Sequence, residues 1–174
     1  MKSEVLKKLK EIKLFLFDLE GCVIPKNFIY NEENENQVIE KLRVYCKEFA
    51  DLNSSLGIIT ASNNGIVQKI KESNPCLIKC GTINKVELAD NLLSEKKLDY
   101  SKVFFLGDDL LDIPLLQKCA VSAAPKDGRR EVKRVVTFVT QNESGKVLEE
   151  ILDYFKQSKS DFNGKEKRIS TTTN

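Results

Sequence analysis

Apolar residues follow two alternating patterns along the chain. Short runs rich in Leu, Ile, Val and Phe are typical of strands that are buried on both faces. They fall at residues 14–18, 56–60, 77–80, 103–108, 120–124 and 135–139. Between these runs, apolar residues recur every three or four positions, as in Val38, Leu42, Tyr45 and Phe49, which is the spacing of an amphipathic helix. The alternation predicts an α/β fold with a mainly parallel central sheet and helices on both of its faces, in three layers.

The chain is predicted to form one domain over residues 1–155, followed by a polar tail. It contains no internal repeat and no interior linker, and it lacks room for a second core, so no large cap domain is expected. The last apolar stripe ends at Phe155, and the polar residues 156–174 are expected to be disordered. The segment 28–36, between the first strand and the first long helix, could hold a strand or a short hairpin.

The composition excludes several kinds of chemistry. The sequence contains no histidine, which rules out His-based acid–base catalysis, Ser-His-Asp and Cys-His nucleophiles, and histidine metal ligands. A formal net charge of +2 gives no reason to expect nucleic acid or an anionic membrane as a partner. The five cysteines are expected to be buried free thiols in a reducing compartment, because no second pair or histidine completes a metal site. With a charged, amphipathic start and no long apolar run, the protein is predicted to be cytoplasmic.

Polar groups stand at the ends of three predicted strands. Asp18 ends the first strand, Thr60 ends the second, and Asp108 ends the run that begins at Val103. Lys85 opens the helix that follows the segment GTIN. Because the ligand site of an open α/β sheet lies outside the carboxyl ends of its strands, these side chains are expected to converge on one crevice.

Such a group of side chains suits the chemistry of phosphate esters. Asp18, Asp108 and Asp109 would repel one another unless a cation lay between them, and oxygen ligands of this kind select Mg²⁺. A cation also reduces the repulsion that otherwise opposes attack of a carboxylate on a phosphate. Thr60, its neighbouring backbone N–H groups and Lys85 would then bind the remaining phosphate oxygens.

Four segments of the sequence resemble, in order, the four motifs of the haloacid dehalogenase superfamily. They read FDLEGCVIP, GIITAS, GTINK and FLGDDLLDIPLL. The resemblance extends over residues 12–155 and is greatest to the small capless branch that contains 3-deoxy-D-manno-octulosonate 8-phosphate phosphatase and the phosphatase-like domain of some sialic acid cytidylyltransferases. It implies a Rossmann-like fold and a phosphoric monoester hydrolase that acts on a small phosphorylated metabolite such as a sugar acid phosphate. It also implies a homo-oligomer, which in this branch is usually a tetramer.

The resemblance implies a role for each matching residue of the catalytic and metal sites. Asp18 matches the nucleophile, which becomes an aspartyl-phosphate, and Lys85 matches the lysine that neutralises nucleophile and phosphate. Glu20 stands at the position of the general acid/base. The implied magnesium ligands are the side chains of Asp18 and Asp108 and the main-chain carbonyl of Glu20.

The remaining matches concern the phosphate and the surroundings of the metal. Thr60 and Ala61 match the phosphate-binding segment, to which Lys85 also contributes. Asp109 and Asp112 match supporting acidic positions, which act directly or through water.

The sequence departs from the family pattern at positions that bear on substrate and acid/base function. Glu20 replaces the usual Asp, and the segment from Thr60 to Ser62 lacks the arginine of the branch. Gly145 matches a glycine-rich C-terminal segment whose arginine is missing as well. These departures leave open a second interpretation, in which the chain is a catalytically weak or inactive family member that serves as an assembly or regulatory module. A phosphoacceptor receiver domain is disfavoured, because its phosphorylated Asp precedes its Thr and Lys, whereas here the Gly-Asp-Asp segment follows both.

Overall fold

Helices and strands alternate along the computed structural model, which describes residues 3–169, with side chains up to residue 160. The strands are β1 (Leu14–Phe17), β2 (Ser55–Thr60), β3 (Leu77–Cys80), β4 (Val103–Leu106), β5 (Val121–Ala124) and β6 (Phe138–Val139). The helices are α1 (Ser3–Lys10), α2 (Glu32–Asp51), α3 (Gly65–Ser73), α4 (Lys85–Lys96), α5 (Ile113–Leu116), α6 (Arg130–Lys133) and α7 (Val147–Ile169). Short 3₁₀ turns at Tyr100–Lys102 and Leu110–Asp112 flank β4.

The strands form one six-stranded sheet in the order β3-β2-β1-β4-β5-β6. Every neighbouring pair is parallel, and Phe17 at the end of β1 lies opposite Ile58 of β2 and Leu106 of β4. The chain builds outwards from β1 to β3 and then crosses back to place β4 on the other side of β1. The point between β1 and β4 is therefore the switch point at which ligands bind in open α/β sheets.

Side chains of β1 point alternately to the two faces of the sheet, and each face carries its own hydrophobic core. Phe15 and Phe17 pack in the core under α1, α2, α3 and α7, whereas Leu14 and Leu16 pack in the core under α4, α5 and α6. The first core contains an aromatic cluster in which the Phe15 ring lies 4.7 Å from Phe49 and 4.6 Å from Phe155, measured between centroids. The predicted three-layer α/β fold is confirmed.

The connection from β1 to α2 contains no strand and no inserted domain within the part of the chain that the structure describes. The helix α2 starts at Glu32, because the side chain of Asn31 caps it by accepting the N–H of Asn34 at 2.8 Å. The three glutamates of its first turn also favour a helix N-terminus. These local signals exclude the strand or hairpin that was considered for residues 28–36. The run at 135–139 likewise forms a strand only at its last two residues.

The helix α7 continues past Phe155 to Ile169, where the composition had predicted a disordered tail from residue 156. The described side chains show why, since Ser158 is completely buried and the ammonium of Lys159 donates to the carbonyl of Lys10 at 3.0 Å. Packing against α1 therefore holds a segment that lacks an apolar stripe of its own. The predicted tail is corrected for residues 156–169, and its last five residues lie outside the described part. No helix in the described part is long and apolar enough to cross a bilayer.

The five cysteines are free thiols, as predicted. Cys22 and Cys76 are buried, whereas the other three are partly exposed, so burial was predicted correctly for only two of them.

Candidate active site

A cavity of about 500 Å³ opens at the carboxyl edge of the sheet, at the switch point between β1 and β4. Its walls come from the segments that follow β1, β2 and β4, from the first residue of α4 and from the loop that follows β5. The lining residues are Asp18, Glu20, Gly21, Lys26, Thr60, Ala61, Ser62, Lys85, Asp108, Asp109, Leu111 and Arg129.

Asp18 directly follows β1 and continues its pairing, because its backbone N–H donates to the carbonyl of Leu106 at 2.9 Å. Its carboxylate is almost completely buried, and the oxygen Oδ1 accepts the N–H of Leu19 at 2.9 Å. The same oxygen lies 2.8 Å from the ammonium of Lys85. Burial raises the pKa of Asp18 to about 8, and the effect outweighs the attraction of Lys85, while the charge of Asp112 adds to it. Asp18 is therefore a fixed carboxylate whose ionised form needs a further positive charge.

Lys85 is the first residue of α4 and lies between two carboxylates. Its ammonium is 2.5 Å from Oδ1 of Asp112 as well as 2.8 Å from Asp18. Burial alone would lower the pKa of Lys85, but the two carboxylates together raise it, so the side chain stays protonated. The result is a permanent positive charge beside the carboxylate of Asp18.

Asp112 organises this part of the site from below the cavity. It is completely buried, and its oxygen Oδ2 accepts the N–H groups of Asp108 and Asp109 at 2.9 and 3.0 Å. Gly107 makes room for it, because a Cβ at that position would lie 2.5 Å from Cγ of Asp112. One carboxylate thus fixes both the lysine and the turn that carries Asp108.

The carboxylates of Asp18 and Asp108 form a pocket that fits a divalent cation. Together with the thiol of Cys22 they offer three buried ligand atoms that all lie within 4.8 Å of one another. Gly21, at a φ of +77°, allows close approach, because a Cβ there would lie 2.5 Å from Oδ2 of Asp108. Burial, followed by the charges of Asp18 and Asp108, raises the pKa of the Cys22 thiol well above its ordinary value, so the thiol is neutral. The available oxygens match the preference of Mg²⁺.

Two basic side chains near Asp108 and Asp109 were not predicted from the sequence. The ammonium of Lys26 lies 3.2 Å from Oδ2 of Asp108 and donates to the carbonyl of Asp127 at 2.8 Å. Burial raises the pKa of Asp108, although Lys26 partly offsets this. Arg129 lies 3.2 Å from Oδ2 of Asp109, measured from Nε. The signal that could have revealed Arg129 is its position in the loop after a predicted strand, at the same edge as Asp18.

Thr60 and Glu20 contact each other across the cavity. The hydroxyl of Thr60, at the end of β2, donates to Oε2 of Glu20 at 2.9 Å and accepts the N–H of Ser62 at 3.1 Å. The other carboxylate oxygen of Glu20 accepts a hydrogen bond from the side-chain amide of Asn64 at 3.1 Å. The longer side chain of Glu, compared with Asp, thus reaches the residue that was predicted to bind phosphate. Asn64 is a further residue that sequence reasoning missed.

The structure brings together nearly all of the residues that the sequence singled out. Those that line the cavity are Asp18, Glu20, Thr60, Ala61, Lys85, Asp108 and Asp109. Asp112 lies beneath them and contacts Lys85 and the backbone of Asp108 and Asp109. The main-chain carbonyl of Glu20 as a metal ligand, and the chemical role of each side chain, stay predictions.

Comparison with known proteins identifies a family and a fold. The family model of haloacid dehalogenase-like hydrolases matches residues 26–152, a range that begins after Asp18 and Glu20. The 3-deoxy-D-manno-octulosonate 8-phosphate phosphatase of Haemophilus influenzae is 23% identical over 144 residues, which cover 80% of this chain and 79% of that protein. The enzyme of the same name from Escherichia coli K12 is 24% identical over 158 residues, with 87% and 82% covered.

Solved structures of similar proteins share the fold. A putative 3-deoxy-D-manno-octulosonate 8-phosphate phosphatase from Vibrio cholerae has a TM-score of 0.79 at 23% identity and covers 92% of each chain. The phosphatase from Moraxella catarrhalis, solved with magnesium, phosphate and a KDO molecule, has a TM-score of 0.78 at 20% identity, covering 97% of this chain and 99% of that one. Because the family model spans most of the sequence, the chain belongs to the haloacid dehalogenase-like hydrolases.

Proposed function

We propose that this protein is a magnesium-dependent phosphatase that hydrolyses a small phosphorylated metabolite through an aspartyl-phosphate on Asp18. The observation that carries the proposal is the position of the buried Asp18 carboxylate, 2.8 Å from the protonated Lys85 and next to Asp108. A carboxylate nucleophile needs positive charge to approach a phosphate, and this arrangement supplies a fixed ammonium and a pair of cation-binding carboxylates. Asp18, Asp108 and the main-chain carbonyl of Glu20 would hold Mg²⁺, which lessens the repulsion between nucleophile and substrate.

The reaction is proposed to proceed in two steps. In the first, a carboxylate oxygen of Asp18 bonds to phosphorus while the bond to the leaving oxygen breaks, and Glu20 gives that oxygen a proton. In the second, Glu20 takes a proton from a water molecule as the water oxygen bonds to phosphorus, and the bond between phosphorus and Asp18 breaks. Thr60, the backbone around Ala61 and Lys85 would bind the phosphate oxygens that do not react.

The substrate class that fits best is the phosphate ester of a small organic acid, such as a sugar acid. The curated relatives named above carry the name of such an enzyme. Lys26 and Arg129 line the cavity on the side of Asp108 and Asp109, where they favour an anionic leaving group over a neutral one. The absence of a cap within residues 3–169 leaves this side of the cavity accessible.

We also propose that the protein forms a homo-oligomer. Ile29 and Tyr30, in the segment that follows β1, are 69% and 52% exposed. The two residues are adjacent, so together they form an exposed apolar surface that contact with another subunit would cover. Light scattering coupled to size-exclusion chromatography would measure the mass in solution, and a mass of one chain at micromolar concentration would contradict the proposal.

The function is tested by phosphate release from a panel of sugar acid phosphates, neutral sugar phosphates and aryl phosphates, with Mg²⁺ and with a chelator. We expect turnover that requires Mg²⁺ and is abolished in Asp18→Asn, because an amide cannot form the acyl phosphate. Beryllium fluoride should form an adduct on Asp18 that a crystal structure would locate. Asp51→Asn, at an exposed position on α2, is the matched control and should keep full activity.

The contact between Glu20 and Thr60 favours a second candidate function, because it occupies the hydroxyl that phosphate would need. In that case the protein is a weak or inactive family member that serves as an assembly or regulatory module. The phosphate-release assay, together with a calorimetric titration of Mg²⁺, separates the two. Tight binding of Mg²⁺ without phosphate release from any ester would favour the second candidate over the first.

A further inference from the structure

The carboxylate of Glu20 is held by two donors whose own orientations are fixed. The Thr60 hydroxyl oxygen accepts the N–H of Ser62 at 3.1 Å, which leaves the hydroxyl proton to point at Oε2 of Glu20. Asn64 is the N-cap of α3, and its Oδ1 accepts the N–H of Val67 at 3.3 Å. The other end of the same amide, Nδ2, therefore faces Oε1 of Glu20 at 3.1 Å. The capping bond decides which atom of Asn64 meets the glutamate.

A bound substrate would affect the hydrogen bonds of Thr60 and Asn64 to Glu20 differently. The Thr60 hydroxyl is buried at the end of β2 and lines the cavity, where a phosphate oxygen would compete with Glu20 for its hydrogen bond. Asn64 is exposed at the start of α3 and is not part of the cavity wall, so a bound phosphate leaves its contact with Glu20 intact. Glu20 would exchange one partner on substrate binding and keep the other.

We propose that Asn64 is a positioning residue for Glu20, an inference that rests on the proposed function. When a phosphate oxygen accepts the hydrogen bond of the Thr60 hydroxyl in place of Glu20, Oε2 of Glu20 becomes free to approach the leaving oxygen. Asn64 meanwhile keeps Oε1 in place. A glutamate has one more rotatable bond than the aspartate that is usual at this position, so the longer side chain needs an anchor to keep its carboxyl within reach of that oxygen. Asn64 supplies the anchor, and its capping bond supplies the rigidity.

A purely structural role for Asn64 makes a different prediction, because the residue also caps α3. Asn64→Ser separates the two roles. Serine is a good N-cap and carries no charge, but its side chain is too short to reach Glu20. Asn31→Ser is the matched control, because it makes the same replacement at the N-cap of α2.

The measurement is kcat/KM for an alkyl phosphate and for an aryl phosphate, together with the thermal midpoint of unfolding. This ratio of constants reports the first chemical step, in which only the alkyl leaving group depends strongly on protonation. Glu20→Gln should lower kcat/KM for the alkyl phosphate by about 100-fold, which is in the range of general acid catalysis. Asn64→Ser should lower it by about 10-fold, with an aryl value and a thermal midpoint close to those of the wild type and of Asn31→Ser. In the double variant the two losses should not add, because Asn64 acts through Glu20.

Three kinds of result would overturn the inference. They differ in whether the proposed function would still stand. If Glu20→Gln lowers the alkyl value and Asn64→Ser does not, Asn64 only caps α3 and the proposed function stands. Equal losses for alkyl and aryl esters in Asn64→Ser, or a lowered thermal midpoint that accounts for them, would likewise assign a structural role. If Glu20→Gln has no effect, or the wild type releases no phosphate, the inference falls together with the acid/base role or with the proposed function itself.

Discussion

The ammonium of Lys85 lies 2.5 Å from Oδ1 of Asp112, and the two side chains are only 4% and 0% exposed. The opposite oxygen of Asp112 accepts the N–H groups of the turn that follows β4. This buried carboxylate therefore joins the first residue of α4 to the turn that carries Asp108. Its charge is matched and all of its bonds are formed, which is the condition under which a buried ion pair is tolerated.

Asp112→Asn should destabilise the protein and impair turnover. The change leaves the Lys85 ammonium with one carboxylate instead of two, and an amide cannot accept hydrogen bonds with its nitrogen end. Removing one partner of a buried pair costs about 3–5 kcal/mol, which urea denaturation would measure as a loss of unfolding free energy. Asp109→Asn is the control, because Asp109 pairs with Arg129 at a position where both side chains are about half exposed, and it should cost less than about 1 kcal/mol. Equal costs for the two variants would contradict the role assigned to Asp112.

Affinity for Mg²⁺ should increase with pH up to about pH 8. Burial raises the pKa of Asp18 to about 8, although Lys85 partly offsets the effect. Below this pH the metal-free carboxyl carries a proton that Mg²⁺ must displace, so the affinity should fall by up to about tenfold for each pH unit below it. Above this pH the carboxylate is already ionised, and the affinity should level off.

Isothermal titration with Mg²⁺ between about pH 6 and pH 9, in buffers of different ionisation enthalpy, would report both the affinity and the protons released. Asp18→Asn is the control, since an amide has no proton to release in this range. An affinity that is constant over the same range would show that Asp18 is ionised before the metal binds.

Lys26→Met should tighten the binding of Mg²⁺. The Lys26 ammonium lies 3.2 Å from Oδ2 of Asp108, where it competes with the cation for the same carboxylate and repels it. The side chain is 46% exposed, so solvent screens its charge and the expected gain is only about two- to fivefold in affinity. Lys79→Met removes a lysine that pairs with Glu95 instead, and it should leave the affinity unchanged. Weaker binding in Lys26→Met would mean that Lys26 supports the metal site.

Truncation after Phe155 should destabilise the fold, whereas truncation after Ser160 should have a smaller effect. The longer chain keeps the buried Ser158, and it keeps the hydrogen bond from Lys159 to the carbonyl of Lys10, which joins α7 to α1. The shorter chain loses both. Chemical denaturation of the two truncated proteins would measure the difference, and equal unfolding free energies would show that residues 156–160 contribute nothing.

The fold followed from the sequence because its signals are local. Apolar runs such as 14–18 and 103–108 reveal doubly buried strands wherever they lie in the chain, and the helical spacing from Val38 to Phe49 does the same for α2. The residues at the carboxyl ends of parallel strands must then share an edge, so the meeting of Asp18, Thr60 and Asp108 could be predicted as well.

Contacts between distant segments could not be predicted in the same way. The composition predicts a disordered tail from residue 156, whereas α7 continues past Phe155 and Lys159 contacts the carbonyl of Lys10 at the end of α1. The helix start at Asn31 is different, because its capping residue and the glutamates that follow are local signals that stand in the sequence itself.

The α/β class, the order of the strands and the set of reactive side chains at one edge of the sheet could all be inferred from local patterns in the sequence. Which of these side chains contact one another, as in the pairs Glu20 with Thr60 and Lys26 with Asp108, became clear only from the folded chain. The two kinds of information differ in the distance along the chain over which they act. Periodicity and strand ends depend on neighbouring residues, but a hydrogen bond depends on the ångström-level placement of groups that lie dozens of residues apart.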